Sequence, residues 1–208
     1  LWIGCSDSRI PESVLSGVER GRIFVHRNIG NQVDSQDATH SALASVEYAV
    51  RALGVRSILI VGHTDCGAVQ FSIASAQGGN AAHSRFPVVA RYLHSLILIA
   101  RRVLPSIPPG VAQTERELLV AKQNVRDQAR AVFRSGLYIA SDGRRVPIKG
   151  YVYHIGKQNP WEGVIMLGGG GARATTLSGT EEKGKEEEID EEGWFLRETD
   201  EFEENIEI

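Results

Sequence analysis

Short apolar runs alternate along the chain with segments in which apolar residues recur every three or four positions. The runs are rich in β-branched and aromatic residues and end at turn-forming residues, which predicts buried strands at 1–4, 23–25, 57–61 and 150–155. The periodic segments predict helices at 11–21, 35–53, 67–80, 88–103 and 114–133. Strands that alternate with helices predict an α/β fold, with a mostly parallel central β-sheet flanked by helices.

Particular residues mark the predicted helix ends. Thr114 with Glu117 three positions later forms a capping-box pattern, which predicts the start of the last helix. Gly54 follows the helix predicted at 35–53 and is a typical C-terminal stop, and Gly21 is the expected end of the helix that Pro11 opens.

Charge divides the chain into a basic body and an acidic tail. Residues 1–180 contain 20 Lys and Arg against 12 Asp and Glu, whereas residues 181–208 contain 3 against 14. The net charges are therefore +8 and −11. We expect a catalytic domain at 1–167, a Gly-rich linker at 168–180, and an acidic, flexible tail at 181–208.

Composition argues against two classes of partner. No run of 18 apolar residues occurs, so we expect no membrane span. The arginines are scattered, without a Lys/Arg-rich run and interleaved aromatics, so we expect no nucleic-acid binding. The chain begins at Leu1 and not at Met, so we expect the natural N-terminus to lie upstream. A cytoplasmic location is the expectation, with a mitochondrion or chloroplast as the alternative.

Two cysteines and one histidine follow predicted strands. Cys5 follows the first strand, His63 follows the strand at 57–61, and Cys66 lies three residues later. Parallel strands end at one edge of a sheet, where open α/β folds bind ligands. Each cysteine alone is more often a small buried apolar residue. Together, two thiols and an imidazole favour zinc, and three protein ligands with one open position are typical of catalytic zinc.

Asp7 and Arg9 lie two and four residues after Cys5. A carboxylate so close to zinc either ligates the metal or accepts a hydrogen bond from a water there. The planar fork of Arg9 suits a bidentate grip that keeps Asp7 charged and away from the metal. An ordinary surface ion pair is the alternative interpretation.

Four segments resemble β-class carbonic anhydrases. They are Cys-Ser-Asp-Ser-Arg at 5–9, Phe-Val-His-Arg-Asn at 24–28, His-Thr-Asp-Cys-Gly at 63–67 and Gly-Tyr-Val-Tyr at 150–153. The resemblance covers about residues 1–165. It implies one Zn²⁺ per chain on Cys5, His63 and Cys66, with Asp7 and Arg9 as the catalytic dyad. It also implies a homodimer or dimer of dimers that interconverts carbon dioxide and bicarbonate through a zinc-bound hydroxide.

The resemblance also implies two further groups of residues. Phe24, Ile29 and Gly67 match positions that line the substrate pocket, and Trp2, Arg27 and Tyr153 match a regulatory bicarbonate site of one subgroup. The family's N-terminal arm, the stretch 78–110 and the tail after residue 171 have no match. The alternatives are a carbonyl sulfide or carbon disulfide hydrolase, a catalytically silent zinc-binding interaction protein, and a redox cysteine pair, which the absence of Cys-x-x-Cys disfavours.

Overall fold

The structure, a computed structural model, describes residues 1–34, 40–78 and 85–167 together with the residue pairs 188–189 and 195–196. The predicted linker and almost all of the predicted tail lie outside the described residues. In the part that is described, no helix is both long enough and apolar enough to cross a membrane.

A five-stranded sheet forms the centre of the described domain. Its strands are β1 (Trp2–Cys5), β2 (Val25–Asn28), β3 (Ile58–His63), β4 (Ile148–Tyr153) and β5 (Trp161–Leu167), in the order β2-β1-β3-β4-β5. The first four are parallel, and β5 pairs antiparallel with β4 at one edge. The predicted mostly parallel α/β fold is confirmed. Two further strands, β6 (Glu188–Ile189) and β7 (Phe195–Leu196), pair with each other.

Strand register brings the carboxyl ends of the four parallel strands to one edge of the sheet. Cys5, the last residue of β1, pairs with Asn28, the last residue of β2. His63, the last residue of β3, pairs with Tyr153, the last residue of β4. Residues that directly follow these strands therefore meet at a common edge, as is usual for ligand sites in parallel sheets.

Six helices are described. They are α1 (Glu12–Ser16), α2 (Ser41–Glu47, continued by a π-helical turn Tyr48–Ala52), α3 (Gly67–Ala76), α4 (Pro87–Tyr92), α5 (His94–Val103) and α6 (Gln113–Arg134). Two 3₁₀ turns, Ile29–Asn31 and Leu104–Ser106, complete the regular structure of this part of the chain.

Several predicted boundaries were wrong. The strand predicted at 23–25 runs from Val25, because pairing with Trp2 sets its start. The helix expected to end at Gly21 ends earlier, where Gly17 takes a left-handed conformation (φ 66°). The helix predicted at 88–103 is interrupted at Leu93, whose non-helical backbone accompanies a fully buried side chain. The sequence analysis also missed β5, an edge strand that follows β4 after a short turn.

Two helices are described from a different residue than the sequence predicts. The last helix begins at Gln113 after Ala112, without a side-chain cap, so the capping box at Thr114 is not formed and Thr114 lies in the first turn. The helix predicted from residue 35 is described only from Ser41, with the His40 side chain accepting a hydrogen bond from the Ala42 N–H. Its predicted stop is present, since Gly54 is left-handed (φ 63°).

Helix α6 packs closely against β3 and β4. Every residue of β3 is buried, as expected for a strand that is covered on both faces. A Cβ added to Gly150 would lie 2.6 Å from Val125 Cγ1 on α6, and one added to Gly62 would lie 2.8 Å from Val125 Cγ2. The two glycines therefore allow α6 to approach the sheet closely.

Candidate metal centre

Three ligand atoms converge at the carboxyl edge of the sheet. The Sγ atoms of Cys5 and Cys66 and a ring nitrogen of His63 all lie within 4.8 Å of one another. Cys5 ends β1, His63 ends β3, and Cys66 is the N-cap of α3. All three residues are buried. The fold thus brings together the three residues that the sequence analysis predicts as ligands, although the metal itself stays a prediction.

The turn between His63 and Cys66 depends on one backbone conformation. Asp65 adopts a left-handed conformation (φ 56°), which is uncommon for a residue with a side chain. It reverses the chain within two residues, so that Cys66 returns toward His63 and α3 can begin at Gly67.

A hydrogen bond fixes the tautomer of His63. Its Nδ1 lies 2.9 Å from the Thr64 carbonyl oxygen, which can only accept, so Nδ1 carries the hydrogen. Nε2 is then an acceptor, and it is buried without a hydrogen-bond partner among the described residues. A buried, unpaired imidazole nitrogen beside two thiols is the donor set that zinc requires, and the bond to Thr64 is a typical orienting contact for such a ligand.

The two thiols shift each other's pKa in opposite directions. A hydrogen bond from Cys66 lowers the pKa of the Cys5 thiol, against the opposing effect of burial, and the backbone N–H groups of Asp7 and Gly30 add to the lowering. The contact with Cys5 and then burial raise the pKa of Cys66. The pair therefore loses one proton readily and holds the second. A divalent cation at this position would favour loss of both.

Arg9 grips the Asp7 carboxylate. Arg9 Nε donates to Asp7 Oδ1 at 3.0 Å, Nη2 donates to Oδ2 at 2.7 Å, and the Arg9 backbone N–H donates to Oδ1 at 2.9 Å. These hydrogen bonds hold the pKa of Asp7 well below its usual range. The Asp7 carboxylate therefore faces Arg9 and forms with it the bidentate pair that the sequence analysis expected.

Arg27 contacts the backbone of the loop that carries Cys5 and Asp7. Its Nε donates to the Cys5 carbonyl oxygen at 2.9 Å, and its Nη2 donates to the Asp7 carbonyl oxygen. Its Nη1 lies 3.8 Å from Glu12 Oε2. The sequence analysis placed Arg27 at a bicarbonate site, but two of its nitrogens are already engaged by the protein backbone.

Trp2 and Tyr153 both pack edge-on against Trp161. The ring centroids are 6.0 Å and 4.9 Å from that of Trp161. The indole of Trp2 lies over Gly4, whose strand partner is Arg27, so it is on the same side of the sheet as that residue. Trp2 Nε1 is buried and has no hydrogen-bond partner in the described part of the chain. A donor is therefore available beside Arg27.

The three predicted pocket residues are not brought together. Ile29 directly follows β2 at the carboxyl edge and is 45% exposed, and Gly67 directly follows Cys66. Phe24 instead precedes β2, at the opposite end of the strand, and its ring lies 5.7 Å from that of Tyr48. Phe24 lies at the start of β2, whereas Cys5 lies at the end of the parallel neighbouring strand β1. The fold of one chain therefore does not bring Phe24 to Cys5.

The sequence analysis missed Asp65 and Thr64 as contributors to the site. Both lie inside the His63–Cys66 segment, so position alone could have drawn attention to them. Their contacts involve Arg9 and a histidine ring nitrogen, which spacing along the chain does not reveal.

Comparisons with known proteins identify the family of the chain. A family model described as carbonic anhydrase matches residues 1–159. A carbonic anhydrase of Pseudomonas aeruginosa is 37% identical over 158 residues, which cover 74% of this chain and 68% of that protein. Alignments with several other carbonic anhydrases cover only 27% to 34% of those proteins' lengths.

Solved structures show the same fold. A β-carbonic anhydrase of Aspergillus fumigatus superposes with a TM-score of 0.67 at 30% identity, covering 78% of this chain and 73% of that one. One of two tetrameric β-carbonic anhydrases of Sordaria macrospora gives 0.59 at 30% identity, covering 74% and 75%. With its family model matched over most of its length, this chain belongs to the carbonic anhydrase family, and its structural relatives place it in the β class.

Proposed function

We propose that this protein catalyses the reversible hydration of carbon dioxide to bicarbonate and a proton, with one zinc ion per chain. The observation that carries the proposal is the cluster of Cys5, His63 and Cys66, whose buried ligand atoms lie within 4.8 Å of one another. Family membership supports the same chemistry.

Cys5, His63 and Cys66 would hold the metal and leave a fourth position open. Zinc bound in such a site lowers the pKa of a coordinated water to about 7, which supplies hydroxide at neutral pH. The Thr64 carbonyl keeps the His63 ring oriented through Nδ1, and Arg27 holds the backbone on both sides of Ser6. These contacts preserve the spacing of the three ligands.

Asp7 would orient the attacking water by accepting a hydrogen bond at a carboxylate oxygen. Arg9 keeps that carboxylate ionised, because its hydrogen bonds hold the pKa of Asp7 below the usual range. Asp7 is therefore an acceptor that positions the nucleophile and not the group that stores the released proton. The proton passes to buffer, since we assign no histidine of the chain as a shuttle.

The substrate would lie at the carboxyl edge beside Ile29 and Gly67. Phe24 is on the other end of β2, so we propose that it serves a site only across a subunit boundary. It packs on Tyr48, which is 54% exposed and offers an aromatic surface to a second copy. A homodimer or dimer of dimers fits this arrangement, and one structural relative is described as tetrameric.

The decisive experiment couples metal content to turnover. Elemental analysis of the purified protein should give one zinc per chain, and stopped-flow measurement should show carbon dioxide hydration. Cys66→Ser should lower both. Unchanged tight zinc binding in Cys66→Ser would refute the ligand assignment. Bound zinc without carbon dioxide hydration would refute the proposed activity. Faster turnover of carbonyl sulfide or carbon disulfide than of carbon dioxide would assign the site to the alternative hydrolase.

A further inference from the structure

One guanidinium joins the two loops that carry the metal ligands. On one side, Arg9 Nε and Nη2 donate hydrogen bonds to the Asp7 carboxylate. On its other side, Nη1 donates to Asp65 Oδ2 at 2.6 Å and Nη2 donates to the Asp65 carbonyl oxygen at 2.9 Å. Four of the five donor hydrogens of Arg9 are therefore used. Asp7 belongs to the Cys5 loop, and Asp65 lies between His63 and Cys66.

Asp65 is itself held by Gln70, a side chain that also contacts α6. Its Oδ1 accepts a hydrogen bond of 3.0 Å from Gln70 Nε2 on α3. The same Gln70 nitrogen donates to Glu117 Oε2 on α6 at 3.2 Å. The left-handed backbone of Asp65 directs its carboxylate and its carbonyl oxygen toward the same guanidinium. Arg9 thus has a fixed partner on the side away from Asp7.

The two carboxylates do not compete for the same donors. Nε serves Asp7 and Nη1 serves Asp65, while Nη2 uses one hydrogen for each residue. An isolated exposed pair contributes little, since its side chains remain mobile. A planar fork that is bonded from both sides loses that freedom, because turning it would break contacts with both loops.

The orientation of the Asp7 carboxylate depends on Arg9. Among the described residues, every hydrogen bond to the Asp7 carboxylate comes from Arg9. If Arg9 turned away, a metal on the nearby Cys5 would offer Asp7 a competing positive charge, and a carboxylate ligand would close the fourth position. The strength with which Arg9 holds Asp7 therefore sets the balance between these two positions.

We propose that Asp65 is a positioning residue that fixes Arg9, so that Asp7 stays turned away from the metal and the fourth position remains open. The proposal rests on the proposed function, since it requires a metal on Cys5, His63 and Cys66. It assigns a role to the residue between two ligands that binds neither the metal nor the substrate.

The test uses three variants of the full chain. Asp65→Gly removes the carboxylate and suits the left-handed backbone, so folding should be preserved. Asp65→Asn keeps one oxygen acceptor for Arg9 and tolerates the same conformation. Asp142→Asn is the matched control, because Asp142 is an exposed acid that contacts Arg144 far along the chain from the site.

The readout is anion binding to the cobalt-substituted proteins, followed by visible absorption with thiocyanate as the probe. If Asp7 occupies the fourth position in nine of ten molecules, the apparent affinity for the anion falls about tenfold. We expect that loss in Asp65→Gly, a smaller loss in Asp65→Asn, and none in Asp142→Asn. The double variant Asp65→Gly with Asp7→Asn should recover the affinity, because an amide does not compete for the metal as a carboxylate does.

Wild-type affinity for thiocyanate in Asp65→Gly at equal cobalt content would overturn the proposal. Failure of the double variant to recover the affinity would overturn it as well, since the loss would then not pass through Asp7. Failure of the wild-type protein to take up cobalt would instead count against the metal centre and the proposed function. If Asp65→Gly loads cobalt poorly, the comparison of Asp65→Asn with its own Asp7→Asn double variant decides.

Discussion

Arg27 and Cys5 lie on neighbouring strands, and Arg27 Nε donates a 2.9 Å hydrogen bond to the Cys5 carbonyl oxygen. The same guanidinium donates to the Asp7 carbonyl oxygen, so one side chain of β2 holds the backbone on both sides of Ser6. The loop that presents the Cys5 thiol and the Asp7 carboxylate is therefore positioned by β2 and not by its own sequence alone.

Arg27→Lys should loosen this loop without unfolding the domain. A lysine ammonium is a point charge and cannot reproduce the planar pair of bonds to two carbonyls. We expect zinc retention against a chelator, or hydration activity, to fall about 10- to 100-fold, as for other groups that orient metal ligands. Arg22→Lys, at an exposed position, is the control. Equal zinc retention and turnover in Arg27→Lys and the wild-type protein would contradict the role.

Asp7→Asn should keep zinc and lose most hydration activity. The amide offers only one acceptor oxygen and no charge for Arg9, whereas the metal ligands are untouched. We expect turnover at pH 8 to fall by at least about tenfold, measured by stopped flow at equal zinc content. Asp142→Asn again serves as the control for a lost acidic charge. Near-normal turnover in Asp7→Asn would remove Asp7 from the mechanism.

Bicarbonate should inhibit the enzyme through Trp2, Arg27 and Tyr153, and activity should fall steeply below about pH 8. Protonation of Asp7 does not explain such a fall. The hydrogen bonds from Arg9 lower the pKa of Asp7, so the carboxyl stays ionised throughout the usual titration range of a carboxyl and gains a proton only in stronger acid. Trp2 Nε1 has no hydrogen-bond partner among the described residues, so it is a donor that bicarbonate could use.

Trp2→Phe removes that donor and should weaken the bicarbonate effect, with thermal unfolding as the check on the buried site. Tyr153→Phe provides a second variant that alters only a hydroxyl. A pH profile that fits one ionisation, with no bicarbonate effect beyond product inhibition, would contradict the regulatory site.

Gly150→Ala should destabilise the fold. The new Cβ would lie 2.6 Å from Val125 Cγ1 and 2.7 Å from Ile165 Cγ2, so α6 or β5 would have to move. We expect the free energy of unfolding, measured in urea, to fall by about 1–3 kcal/mol. Gly67→Ala is the matched control for stability, because nothing lies within 4 Å of its added Cβ. Equal losses in the two variants would show that close helix packing is not the cause.

Truncation after Gly171 should leave zinc content and turnover largely unchanged. The sheet, the ligand cluster and the contacts of Asp7 and Arg9 all lie within residues 1–167. The removed segment carries most of the acidic charge, and apart from β7, which lies beside β5, we expect it to be solvated. Elemental analysis and stopped flow on the truncated protein test this directly. Loss of zinc or activity would show that the catalytic domain needs the segment.

The α/β architecture and the three candidate ligands could be predicted from the amino-acid sequence. Apolar runs and helical periodicity are local properties, and they were sufficient to identify β1, β3 and β4. The positions of Cys5, His63 and Cys66 relative to two of these strands were then sufficient to predict their convergence, because parallel strands share an edge.

The contacts that support the site could not be predicted in this way and became apparent from the folded chain. The bonds from Arg27 to the Cys5 and Asp7 carbonyls, and from Arg9 to Asp65, join residues that are distant in sequence, so no local pattern encodes them. The same holds for the start of β2, which follows its register with β1, and for the displacement of Phe24 from the ligand cluster. Side-chain contacts between strands and loops depend on register and packing, and these exist only once the whole sheet has formed.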